Sequence, residues 1–285
     1  MHLRKNIQLT GAEGRPFLMD LYTSDNPKGH LIILCHGFKG FKDWGCWHEM
    51  AKYFTGEGYH FIKFNYSHNG TTVDHPMEFE DLDAFGRNTF SKELIDLGKV
   101  IQRAESLREK GELDFDKLHL IGHSRSGPIV IVKGLEDDRV ATVTTWAGVS
   151  DLKGMLTRHM IEEWKRNGVI YIANARTGQQ MPLSYDLYLD YMEQEYRFDL
   201  AKVEVKRRPP MHFLHGDQDE AVPYSAALEL KSFFPWAKVD IIPETGHTFD
   251  CRHPQSEPLP PAAMKLLTLS SEWILSTESG GKGTI

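Results

Sequence analysis

The sequence predicts an α/β domain built on a mostly parallel sheet, and three observations carry that prediction. Short apolar runs at 31–35, 59–64, 117–121, 141–146, 211–215 and 238–242 recur with helical stretches between them. This alternation gives parallel strands joined by crossover helices. The first run, Leu31-Ile32-Ile33-Leu34-Cys35, is apolar at every position, as in a strand covered on both faces. A serine, an acid and a histidine each sit just past the end of one of these strands, and in a parallel sheet those ends share one edge.

The elements follow in order. Residues 5–10 and 16–22 read as two strands joined at the Gly11-Ala12-Glu13-Gly14 turn, an antiparallel entry hairpin. With the six runs above they make an eight-stranded sheet. A helix is expected from about 46 to 56, then the 59–64 strand, then a long polar stretch at 66–88 read as a surface loop near the site. Ser91 is a cap candidate for a helix on which Leu94, Leu97, Ile101 and Ala104 recur at helical spacing, with Gly111 ending it. Pro128-Ile129-Val130-Ile131-Val132 is apolar on every side, as in a buried helix. A last helix is expected near 260–275.

Residues 151–208 are too long for an ordinary connection between neighbouring strands. They contain helical pieces around 152–166 and 184–195 and a short apolar run at 169–172. The reading is a core of 1–150 and 209–275, a small cap of 151–208 inserted after the sixth strand, and a disordered tail at 276–285. The charge run Lys206-Arg207-Arg208 is read as a solvated return to the sheet. Trp164, Tyr171, Tyr185, Tyr188 and Tyr191 give the cap an aromatic face, and Trp164, Tyr171, Tyr185 and Tyr188 are the candidates for a substrate pocket.

The most informative segment is Gly122-His123-Ser124-Arg125-Ser126 between the 117–121 strand and the apolar helix. A sharp strand-to-helix bend holds a serine hydroxyl clear of the backbone near the positive end of a helix, and it needs small residues two places either side. Gly122 meets that need fully and Ser126 approximately. A serine is a poor nucleophile without a base within hydrogen-bond reach. His247 follows the 238–242 strand directly, with His253 and His215 as rivals; the acid is open between Asp217, Asp219 and Asp151. His212 and His215 fall on opposite faces of one strand and do not share an ion.

Over about residues 5 to 275 the chain resembles the α/β-hydrolases, on His36-Gly37-Phe38, Gly-His-Ser-Arg-Ser, His215-Gly216-Asp217-Gln218-Asp219 and Gly246-His247. Within that superfamily it is most similar to the small esterase and dienelactone-hydrolase-like branch, which includes cinnamoyl and feruloyl esterases. The resemblance implies Ser124 as nucleophile, Asp219 as acid and His247 as base. It also implies an oxyanion hole from the backbone N–H groups of Phe38 and Arg125, with His36 buttressing that loop. It implies a serine hydrolase of small carboxylic esters working through an acyl-enzyme, with no cofactor and no metal. A thioesterase or peptidase-like hydrolase with the same triad, and a non-catalytic binding protein on the same fold, are the alternatives. Ser126 departs from the glycine usual at that position of the elbow, and Arg125 either meets solvent or a local acid or contacts an anionic substrate.

Composition bounds the partners. A formal net charge of −7 leaves no basic footprint for nucleic acid or an anionic membrane. No run approaches the length of a membrane span, and the first residues lack the apolar core of a secretion signal. Three cysteines, Cys35, Cys46 and Cys251, are odd in number and suggest no disulfide framework. A cytoplasmic location is the expectation.

Overall fold

The structure, a computed structural model, describes residues 1–255 and 258–279. In chain order its elements are β1 (His2–Thr10), β2 (Pro16–Thr23), β3 (His30–Cys35), α1 (Trp47–Gly56), β4 (Tyr59–Phe64), α2 (Leu82–Gly86) and α3 (Phe90–Glu109). Then come β5 (Lys117–His123), α4 (Ser126–Glu136), β6 (Val140–Trp146), α5 (Arg158–Asn167), β7 (Val169–Ala173), β8 (Gln180–Ser184), α6 (Asp186–Glu193) and α7 (Glu195–Phe198). The chain continues with β9 (Met211–Gly216), α8 (Ser225–Phe233), β10 (Lys238–Ile242) and α9 (Pro261–Ser279).

Eight strands form one sheet in the order β1-β2-β4-β3-β5-β6-β9-β10. The β1–β2 and β2–β4 pairings are antiparallel and the other five are parallel. Period-two alternation splits β3 between the two faces. Leu31, Ile33 and Cys35 join a core with α3, α4 and α8, while Ile32 and Leu34 join one with α1 and α9. Coverage on both sides is why residues 31–35 of the strand are apolar throughout.

Several local readings need correction. The cap of α3 is Thr89, whose side chain accepts from the Lys92 N–H, while the Ser91 N–H donates to Asp190. The 66–88 stretch is not a surface loop in its first half. Tyr66, Ser67, His68, Asn69 and Thr71 are buried, and Asp96 accepts from the N–H groups of Ala12 (2.8 Å) and Ser67 (2.7 Å), holding that segment against the entry turn. Polar residues are tolerated inside when their partners are supplied. Burial pushes the Asp96 carboxyl up to about 6.

Residues 151–208 carry α5, the antiparallel hairpin β7–β8, α6 and α7. The helix expected from 152 begins only at Arg158, after the Thr157 cap, and β8 has no apolar run to announce it. Lys206 and Arg208 are exposed, but Arg207 is half-buried, its guanidinium donating to the carbonyls of Gly134 and Asp137 (2.9 Å) at the end of α4 and of Val140 (2.8 Å) at the start of β6. Cations satisfy helix C-termini well. Ser276 to Ser279 continue α9, and the rest of the expected tail lies outside the described residues.

Cys46 and Cys251 form a disulfide with Cα atoms 5.8 Å apart, and Cys35 is the buried free thiol. An odd count leaves one cysteine over without preventing a pair, so the inference from parity fails. Disulfides persist mainly in oxidising compartments, and the cysteines therefore lend no support to a cytoplasmic location. Among the described residues no helix is long and apolar enough to cross a membrane.

One polar cluster lies deep in the sheet. Lys42 reaches Asp20 (3.0 Å) and Asp43 (2.6 Å), and Lys63 reaches Asp20 (3.0 Å) and Asp43. The side chains of Lys42, Lys63 and Asp20 are at most 1% exposed. Two cations and two anions balance, and they fix the 36–46 segment to β2 and β4. Burial alone would raise the Asp43 carboxyl, but Lys63 and Lys42 outweigh it and lower it to about 2.

Candidate active site

Ser124 stands between β5 and α4 with φ +56°, a left-handed conformation that costs a non-glycine residue about 1–2 kcal/mol. The bend is held by the Ser124 N–H donating to the Trp146 carbonyl and by the Gly127 N–H donating to the Ser124 carbonyl, both at 2.9 Å. A Cβ on Gly122 would lie 2.4 Å from the Ser126 oxygen and 2.6 Å from a Val130 methyl, so only glycine fits there.

The serine that replaces the usual elbow glycine has its own use. Ser126 Oγ donates to the His36 carbonyl (2.5 Å) and accepts from the Tyr66 hydroxyl (3.0 Å). It thereby ties the elbow to the His36-Gly37-Phe38 loop. Gly37 permits the approach, since a Cβ there would sit 2.9 Å from that of Ser124. His36 is buried, and its Nδ1 donates to the Gly37 carbonyl (2.9 Å) while burial lowers its pKa to about 4.

His247 Nε2 lies 3.0 Å from Ser124 Oγ, and His247 Nδ1 lies 2.7 Å from Asp219 Oδ2. Asp219 Oδ1 accepts from the N–H groups of Ala221 (2.9 Å) and Val222 (2.8 Å). Burial works to raise this carboxyl, but hydrogen bonds from His215, His247 and Val222 hold it well below the usual carboxylate range. The rivals stand elsewhere. Asp217 accepts from the Thr245 N–H, Asp151 from the Lys153 N–H, and His253 from the Gly45 N–H.

Two histidines have places that sequence reasoning missed. His215 Nε2 donates to Asp219 Oδ2 (3.1 Å) and to the Val222 carbonyl (2.9 Å), a second support for the acid. His123 Nε2 donates to the His247 carbonyl (3.0 Å), and burial, then the neighbouring His247, lowers its pKa to about 3. It braces the histidine loop as a neutral ring. Its position beside Ser124 in the motif was the available signal. His212 faces away, bonded to Asp240 (2.7 Å) and packed on Trp273.

Phe38 and Arg125 hold each other. The Arg125 guanidinium lies 4.4 Å from the Phe38 ring centroid and pairs with Glu93 in the interior. Of the readings for Arg125, the local acid is the one the structure shows. Among the described residues the backbone N–H groups of Phe38 and Arg125 have no protein acceptor.

A cavity of about 250 Å³ opens at Ser124, lined by Phe38, Trp44, Trp47 and His247 on one side and by Asn174 and Arg176 on the other. None of Trp164, Tyr171, Tyr185 and Tyr188 lines it. Trp164 is buried and donates to the Leu183 carbonyl (2.6 Å), Tyr171 is 62% exposed, and Tyr185 and Tyr188 stack on each other. Trp164, Tyr185 and Tyr188 thus pack within the fold and Tyr171 faces solvent, away from this cavity. Among the described residues no group of three or more His, Cys, Asp or Glu is gathered to hold a metal.

No protein-family model matches the sequence, and no curated protein matches it. Solved structures match over most of the chain. Est1E from Butyrivibrio proteoclasticus, in a structure with ferulic acid bound, is 18% identical with a TM-score of 0.68, covering 96% of this chain and 99% of that one. Mouse alpha/beta hydrolase domain-containing protein 10 is 17% identical with a TM-score of 0.65, covering 97% and 100%. The alpha/beta hydrolase GrgF from Penicillium sp. sh18 is 15% identical with a TM-score of 0.65, covering 87% and 91%. The mainly parallel sheet, the elbow on β5 and these likenesses agree on one architecture, the α/β-hydrolase fold.

Proposed function

We propose that this protein hydrolyses small carboxylic esters through an acyl-enzyme at Ser124. The carrying observation is the continuous chain Ser124 Oγ, His247, Asp219 at 3.0 and 2.7 Å on a strained elbow. His247 Nε2 takes the hydroxyl proton as Oγ attacks the ester carbonyl. The negative charge that develops on the carbonyl oxygen falls to the N–H groups of Phe38 and Arg125. His247 then protonates the leaving alcohol, and water repeats the sequence to release the acid. Asp219 keeps the proton on Nδ1, so that Nε2 faces the serine as an acceptor.

The cavity of about 250 Å³ with Phe38, Trp44 and Trp47 on its walls suits a short or aromatic group. The Est1E structure holding ferulic acid supports the same substrate class.

A fluorophosphonate probe tests the reading, because only an activated serine is labelled. The expected result is one label per chain, absent from Ser124→Ala; an unlabelled native protein would leave a binding protein on this fold. Asp219→Asn should lower kcat by about 10⁴, since the amide presents a donor to two histidine donors and turns His247 to the wrong tautomer. Asp217→Asn should change kcat less than about threefold, because among the described residues its carboxylate meets only the Thr245 N–H. The reverse pattern would move the acid.

A further inference from the structure

We propose that the cavity beside Ser124 contains an anion subsite formed by Arg176, Lys39 and Asn174, and that the preferred ester carries a carboxylate away from the scissile bond. This rests on the ester-hydrolase reading and adds the substrate's charge to it.

Arg176 and Asn174 sit at the tip of the β7–β8 hairpin, and Lys39 follows the Phe38 position in the loop beneath. The Arg176 guanidinium donates to the Lys39 carbonyl (3.0 Å) and lies over the rings of Phe41 (5.4 Å) and Phe79 (5.8 Å). Lys39 Nζ donates to the Ala173 carbonyl (3.3 Å). Among the described residues neither cation meets a carboxylate, and the cavity lining includes no Asp or Glu. Arg176 is exposed and Lys39 half-buried, so the two positive charges share a solvent-open wall of the cavity, and an entering anion would meet both. Burial, then Arg176, lowers the Lys39 pKa, and burial lowers that of Arg176.

Asn174 is the independent observation. It is 3% exposed, and its Oδ1 accepts from the Arg176 N–H (3.2 Å), which fixes the amide orientation. The donor left over, Nδ2, is buried without an acceptor among the described residues, and an orphaned buried donor is destabilising until something accepts from it. Asn174 lines the same cavity as Arg176 and Lys39, so a ligand oxygen that reaches Nδ2 would lie in the pocket the two cations share. Carboxylate and phosphate share this chemistry. The cavity of about 250 Å³ must also hold the ester, which favours the smaller group.

The test compares 4-nitrophenyl hydrogen glutarate with its neutral methyl-capped counterpart, and adds 4-acetoxybenzoate to place the charge on the alcohol side. Native protein should favour an anionic ester in kcat/KM by about tenfold at low ionic strength, a preference that shrinks in about 0.5 M salt. Arg176→Gln and Lys39→Gln should each bring the ratio towards one. A purely structural clamp would instead lower both esters together and leave the ratio and its salt dependence unmoved. A native ratio at or below one for both anionic esters, or a ratio that survives Arg176→Gln, overturns the subsite while hydrolysis of the neutral ester upholds the enzyme reading. If no ester turns over and the fluorophosphonate fails to label, the enzyme reading falls, and calorimetry with glutarate and with inorganic phosphate still decides the subsite. Glutarate binding weakened about tenfold in Arg176→Gln supports it; no glutarate binding, or binding of phosphate alone, overturns it.

Discussion

Replacing Ser124 by alanine is expected to lower kcat by about 10⁶, leaving a residual rate about 10³–10⁴ above water from the oxyanion donors and binding. The size follows from the coupling of the parts. Without Oγ, His247 has no proton to move and Asp219 has no imidazolium to stabilise, so the whole chain of hydrogen bonds falls silent together. KM should change little, since only the Ser124 hydroxyl is lost from the cavity wall. The same position carries a stability signature. Ser124 holds φ +56°, a conformation that glycine adopts without strain, so Ser124→Gly should be inactive and more stable than native by about 0.5 kcal/mol, once the freer unfolded chain is counted. Kinetics with a nitrophenyl ester and urea unfolding of both variants check the pair. An active Ser124→Ala would remove the serine from the chemistry.

The second large effect lies in the buried ion cluster. Asp20→Ala should destabilise the fold by about 3–5 kcal/mol, because Lys42 and Lys63 would remain in the interior with Asp43 alone between them. Replacing a neutral pair at once, as in Asp20→Leu with Lys63→Met, should recover most of that loss. If the single and double variants unfold alike, charge imbalance is not the cause. The cluster also sets an acid limit. Asp43 has a folded pKa of about 2 against an ordinary 3.8. Its contribution of about 2 kcal/mol is therefore present above pH 4 and lost as pH falls towards 2. Native protein should lose stability over that window more steeply than Asp43→Asn.

How much of this was legible in the sequence depends on what each signal reports. The all-apolar run 31–35 announced a strand covered on both faces, and Gly122 announced a bend that excludes a side chain. Order along the chain placed His247 past β10, whereas choosing Asp219 over Asp217 needed the family pattern, because two carboxylates in one loop differ only in where the backbone turns them. Residues 66–71 misled because polarity predicts exposure only when no partner is available, and Asp96, far along the chain, supplies it. Trp164 and Tyr171 misled because aromatic content does not say where a ring goes: Trp164 is buried in the core and Tyr171 faces solvent. Asn174 and Arg176 gave no signal at all, since the hairpin that carries them to Ser124 depends on β8, a strand without an apolar run.

The bond between Cys46 and Cys251 has a kinetic meaning. Cys251 is four residues beyond His247, in a stretch after β10 that forms no strand or helix up to residue 255, while Cys46 immediately precedes α1. His247, the proposed general base, is thus moored at both ends, by β10 behind it and by sulfur ahead. Cys251→Ser should cost about 2–5 kcal/mol in stability, and the slackened mooring should show first as turnover that fades on warming before helical circular dichroism does. Loss of both signals at one temperature would mean that the anchor serves the whole fold and not the imidazole in particular.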